Sequence, residues 1–191
     1  MVVNKAGERL YRGLVETEMA HLQTVAEAVE AAQGESFLTS LRREWERHNK
    51  SVTMIRDILM YMDRIYVKQQ NKTPVHQLGL DLWRDVVVRS PRIRGRLLDM
   101  LLGMVHRERQ GEIVDKSLLR SMAQMLVDLG HAVYCEELEQ PFLERTAEFY
   151  QAEAQVGATG RERVWSREGR VGLGVLLLCG AGCWGRWLSS P

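Results

Sequence analysis

The chain has 191 residues, 45% of them hydrophobic and 27% charged, with a formal net charge of +1. That is the make-up of one ordinary globular domain, or one and a half. The charge is uneven: from Arg161 onward five arginines meet two glutamates, a net +3, so the first 160 residues carry −2, and a body this close to neutral excludes the basic face that a nucleic-acid-binding domain needs.

The opening stretch, MVVNKAGERLYRG, lacks the apolar run of a signal peptide. Lys5 to Ala32 reads as the first helix. Leu10, Leu14, His21, Leu22, Val25 and Val29 form its stripe, and the alanines near its end favour helix. Gly13 weakens its early part, and Gln33-Gly34 stops it. Ser36 is placed to cap the second helix, which runs to about Asn71. At 1.5 Å per residue its 35 or so residues span on the order of 50 Å, a length commoner in stalks and repeat proteins than in compact domains.

Two stripes run along the centre of this second helix, Ser51 to Gln70. Val52, Ile55, Leu59, Met62 and Tyr66 are spaced 3, 4, 3 and 4 apart and share the face a helix buries. Leu41, Trp45 and His48 extend that face backwards. Asp57, Tyr61, Arg64 and Lys68, spaced 4, 3 and 4, form a second stripe beside it. Tyrosine and arginine are enriched at binding hot spots. On periodicity alone the commoner outcome is that Tyr61 is half-buried packing and Arg64 a solvated charge.

Thr73-Pro74 and Ser90-Pro91 each read as a cap followed by a first-turn proline. They open a third helix with Val75, Leu78, Leu82 and Val86 on its stripe, and a fourth with Ile93, Leu97, Leu98, Leu101, Met104 and Val105. After Gln110-Gly111-Glu112, Asp115 caps a fifth helix, closed by Gly130. A sixth begins near Cys135 or Glu136 and runs to about Gln155, with a restart at Pro141. No segment has the alternation of a sheet strand. The expected fold is all-α: an elongated bundle of about six helices over residues 1–156, then an unrelated irregular tail over 157–191. Within that tail, Val171 to Gly185 is uncharged and holds five glycines. Extended to Leu188 it approaches the length of a membrane anchor, but it falls short of the usual span of about 20 apolar residues.

Chemistry is sparse. The three cysteines, Cys135, Cys179 and Cys183, are too few for a disulfide framework and fit a reducing compartment. The scattered histidines form no metal-ligand spacing. No P-loop, nucleophile elbow or dinucleotide fingerprint occurs. No catalytic residue, metal or cofactor is expected.

Four blocks, in order, carry a resemblance: MIRDILMYMDRIYV (Met54–Val67), LGLDLWRDVVVR (Leu78–Arg89), RERQGEIVDKSLLRSMAQMLVDLG (Arg107–Gly130) and YCEELEQPFLERTAEFYQAEAQ (Tyr134–Gln155). Over about residues 1–155 the chain resembles the N-terminal stalk of the cullins, and within them the branch that recruits BTB-domain adaptors. The resemblance implies a stalk of helical cullin repeats in a ubiquitin ligase of the cytoplasm and nucleus, acting as a scaffold and not as an enzyme. Tyr61 and Arg64 fall on adaptor-contacting positions, with Asp57 and Lys68 beside them. It also implies that part of the adaptor surface precedes the position of Met1, and that the RING-box-binding domain has no counterpart here, so no RING-box protein is expected as a partner. Two alternatives remain: a competitor that sequesters adaptors, and a membrane-anchored helical protein through residues 171–188.

Overall fold

The computed structural model describes residues 2–157, and side chains over residues 6–148. Among the described residues there are helices and connections only, with no strand. Helices α1 (Val2–Ala31), α2 (Ser36–Ile58) and the short α3 (Met60–Met62) are followed by a π-helical turn, Asp63–Val67. α4 (Val75–Trp83) runs into a second π turn, Arg84–Val88, and α5 spans Pro91–Arg109. α6 (Lys116–Leu129) and α7 (His131–Tyr134) precede a third π turn, Cys135–Glu139, and α8 (Gln140–Gly157). The all-α expectation is met and all six expected helices occur. The tail from Ala158, with Val171 to Leu188 inside it, lies outside the described residues. No described helix is long and apolar enough to cross a membrane.

The described residues divide into two compact units, Met1–Leu97 and Leu98 onward. The first is built around α2. Phe37, Leu38, Leu41, Trp45, His48 and Val52 form its buried face, and Met62, Tyr66 and Val67 continue it. Each of the large apolar side chains among them contributes about 1.5–3 kcal/mol by leaving water. α4 packs against α2 through an unusually close approach. A Cβ built on Gly79 would stand 2.6 and 2.7 Å from the two Val52 methyls, so only glycine lets the helices meet there. Trp83 is fully buried next, with Trp45 at 5.4 Å and His48 stacked on it at 4.9 Å. This contact turns α4 by one position. Of the expected stripe, Val75 is buried but Leu78, Leu82 and Val86 are only half-buried, and Gly79, Leu80, Trp83, Val87 and Val88 face inward.

In the second unit α6 presents Leu118, Leu119, Met122, Met125, Leu126 and Leu129 to the interior, as its spacing predicts. Val133, Tyr134, Leu138 and Phe142 join them. Burial pushes the Tyr134 phenol up to about 12.

The helix ends show where expectation and structure part. Asp115 caps α6 as predicted, accepting from the Ser117 and Leu118 amides. Three expected caps do not form. The Ser36 hydroxyl donates back to the Gln33 carbonyl at 2.6 Å, Thr73 does not cap α4, and the Ser90 hydroxyl is spent on Glu30 at 2.9 Å. Small hydroxyl residues bond to several nearby backbone and side-chain groups, and the cap is only one choice. The second helix does not run unbroken to Asn71, since Leu59 interrupts it between α2 and α3 at φ −92, ψ 14. The sixth helix starts at His131, earlier than expected. Gly130 at φ 134, ψ 145 reverses the chain in a single residue that a Cβ would disfavour. The expected restart at Pro141 takes the form of the π turn just before it, where the ring would otherwise collide with a preceding carbonyl. On α1 the stripe holds in part: Leu22, Val25 and Val29 are buried and Leu14 is half-buried, but Leu10 and His21 are exposed.

Candidate functional site

Tyr61 lies in the three-residue segment between the Leu59 break and the first π turn. It is 71% exposed, so it is presented outward and is not half-buried packing. Met54 and Ile58, 51% and 78% exposed, precede it by seven and three positions on the same helical stripe. Of the eight large apolar side chains exposed among the described residues, four fall between Met54 and Tyr61. The exposed apolar surface is therefore concentrated here, and such concentration marks interaction surfaces.

The charged members differ among themselves. Asp57 accepts two hydrogen bonds from its neighbour Arg56, at 2.9 and 2.8 Å, and is partly neutralised within the helix. Arg64 and Lys68 are exposed, and among the described residues neither forms an ion pair. Asp57 precedes the Leu59 break, Tyr61 follows it, and Arg64 lies inside the π turn; all three are exposed. Lys68 comes after the wider π turn, beyond which α-helical spacing no longer fixes the face it shares. Sequence reasoning missed Met54 and Ile58. The signal was available, because they stand at i−7 and i−3 from Tyr61.

The underside of this segment is firmly held. Met62, Tyr66, Val67 and Val75 form a buried cluster, with Tyr11, Leu14, Ile55 and Leu59 packed on it. Tyr11 and Tyr66 rings lie 6.2 Å apart. Gly7 sits over the Tyr66 ring, where a Cβ would come within 2.6 Å. The Tyr11 hydroxyl donates to the Thr73 carbonyl at 3.0 Å. Asp63 accepts from the Val75 amide at 3.0 Å, capping α4 from twelve residues away. Asn71 at φ 48 ends the helix, with Lys72 N–H reaching the Val67 carbonyl at 3.0 Å and Asn71 N–H the Lys68 carbonyl at 3.4 Å, the paired bonds of a Schellman stop.

A separate groove of about 450 Å³ lies in the second unit, where Arg109 donates to Thr146 at 2.9 Å and covers the Phe142 ring at 5.5 Å. Among the described residues, no group of three His, Cys, Asp or Glu side chains is placed to hold a metal ion. What the exposed α2–α3 stripe offers at the surface is one aromatic ring, two aliphatic side chains and charged neighbours.

Comparison with known proteins adds a lineage. Residues 1–163 match the model of the cullin alpha solenoid domain. The chain is 53% identical over 154 residues to Cullin-3B of Arabidopsis thaliana, covering 81% of this chain and 21% of that protein. It is 47% identical over 158 residues to Cullin-3 of Dictyostelium discoideum, covering 81% and 20%, and 39% identical over 155 residues to Cullin-3 of Caenorhabditis elegans, covering 78% and 20%. The chain thus spans about a fifth of the length of the curated relatives it matches. With most of its residues matched and its helices in the expected order, this chain belongs to the cullin family.

Proposed function

We propose that the chain acts as stalk of a cullin-type ubiquitin-ligase scaffold, and that Met54, Ile58, Tyr61 and Arg64 dock a BTB-domain adaptor. The observation that carries this reading is the outward presentation of Tyr61 on an exposed apolar stripe whose reverse side is locked into the core. A rigid aromatic beside aliphatic side chains and a cation is the make-up of an interface anchor. In this role the chain makes and breaks no covalent bonds. It positions a partner.

Calorimetric titration of the chain with a BTB-domain adaptor tests the reading. Tyr61→Ala is expected to weaken binding by about 30-fold, the effect of losing a hot spot of about 2 kcal/mol. Arg43→Ala, on the order of 27 Å further back along the helix, is expected to leave the affinity unchanged. Equal affinity of wild type and Tyr61→Ala, or no binding by a folded chain, would sink the assignment. Binding lost in Tyr61→Ala, without any rise in substrate ubiquitination, would identify the chain as a competitor for adaptors.

A further inference from the structure

We propose that Ser90 is a phosphorylation site for a proline-directed serine/threonine kinase, and that phosphate there releases the last turn of α1 from the start of α5. Three Ser/Thr–Pro steps occur in the chain: Thr73-Pro74, Ser90-Pro91 and Ser190-Pro191. Only Ser90 has arginines on both sides, in the run Arg89-Ser90-Pro91-Arg92-Ile93-Arg94-Gly95-Arg96, which contains no acidic residue. Ser90 is half-buried in the bend before α5, and Arg89, Pro91, Arg92 and Arg94 around it are exposed. A residue before proline is pushed toward extended backbone, the shape in which a peptide enters a kinase cleft.

The effect of a phosphate is set by the bonds Ser90 makes now. Its hydroxyl donates to Glu30 Oε1 at 2.9 Å. Arg92 approaches Glu30 Oε2 at 3.4 Å. Arg96 donates to the Glu30 backbone carbonyl at 3.3 Å and lies 4.3 Å over the Phe37 ring. Glu30 is therefore the knot tying the end of α1 to α5. In the transfer, Ser90 Oγ bonds to the γ-phosphorus of ATP, the bond to the bridging β–γ oxygen breaks, ADP leaves, and the hydroxyl proton passes to the kinase's base. The product carries about −1.5 to −2 charge at neutral pH. It removes the donor that Glu30 accepts from and sets an anion against its carboxylate. It also offers Arg92 and Arg96 a stronger, bidentate partner than Glu30. Glu30 loses its three partners in one step.

The test is to treat the full chain with a proline-directed kinase and ATP, map the phosphate by mass spectrometry, and compare melting. Phosphate on Ser90 is expected, absent from Ser90→Ala, with Tm lowered by about 2–4 °C. Ser90→Asp should lower Tm in the same direction. In Glu30→Gln, which still accepts from Ser90 but carries no charge, phosphorylation should shift Tm much less. Phosphate confined to other sites, or a phosphorylated Ser90 with unchanged Tm, would overturn the proposal. An equal loss in wild type and Glu30→Gln would overturn the release mechanism.

Discussion

His48 is the buried base of the first unit, 5% exposed. One ring nitrogen meets the Gly79 carbonyl at 3.0 Å, so in the neutral ring that nitrogen carries the proton. Burial, against the opposing pull of the Gly79 carbonyl, holds its pKa below the ordinary 6.5, and His21 and His76 add like charge when protonated. A histidine with a depressed folded pKa gives its full stability above the unfolded pKa. That stability is lost as pH falls from the unfolded toward the folded value, because the unfolded chain takes the proton first. The melting temperature is therefore expected to fall as the pH drops through the ordinary histidine value of about 6.5. In His48→Gln, which keeps a donor but does not titrate, that decline should shrink. Identical pH profiles would refute the assignment. Glycines give a second prediction at this scale. Gly13 has nothing within 4 Å of a built Cβ, so Gly13→Ala should gain about 0.5–1 kcal/mol of helix stability. Gly79→Ala gains the same propensity but drives a methyl into Val52, and overpacking of about 1–3 kcal/mol wins. Urea midpoints should move in opposite directions. Both glycines sit in helical patterns, and sequence alone gives no sign of the difference, since the Val52 contact lies 27 positions away.

At the scale of elements, apolar periodicity located the six long helical stretches but neither α7 nor the break before α3, and glycines stand at the ends Gly34, Gly111 and Gly130. What periodicity could not express is the π turn. Each of the three buries two consecutive residues: Tyr66 and Val67, Val87 and Val88, Glu137 and Leu138. Consecutive burial also occurs in the plain helices, as at Phe37 and Leu38 or Leu118 and Leu119, so such pairs by themselves do not mark a π turn in the sequence. Asp115 was legible as a cap, but the hydroxyl caps were not, because an N-cap oxygen must accept from a helix amide and these hydroxyls have other nearby partners. Asp63 was not legible either, since it serves α4 from inside another helix. Asp63→Ala should cost about 0.5–2 kcal/mol, as loss of an N-cap does, and lower the urea midpoint. Thr73→Ala, the cap that the sequence favours, should leave the midpoint nearly unchanged. If Thr73→Ala proves the more damaging of the two, the capping assignment is wrong.

For the whole molecule, the legible part of the candidate site was its spacing, and the hidden part was its exposure. Tyr61 could be placed on a stripe from sequence, but whether that stripe faced solvent depended on where α1 and α4 packed. Met54 and Ile58 were hidden because apolar residues on a helix are read first as core. Here the core of the first unit is filled from the adjacent stripe, and these two are left outside.

The connection from Val67 to Val75 bears on how the chain survives in a cell. It contains two exposed lysines, Lys68 and Lys72. A protease must draw several residues into an extended conformation to cut. The Asn71 stop, the Tyr11 hydroxyl on Thr73 and the Asp63 carboxylate on Val75 hold this short segment at its middle and its far end. Cleavage after Lys72 is therefore expected to require local opening of this segment, and loosening any of the three bonds should speed trypsin digestion there.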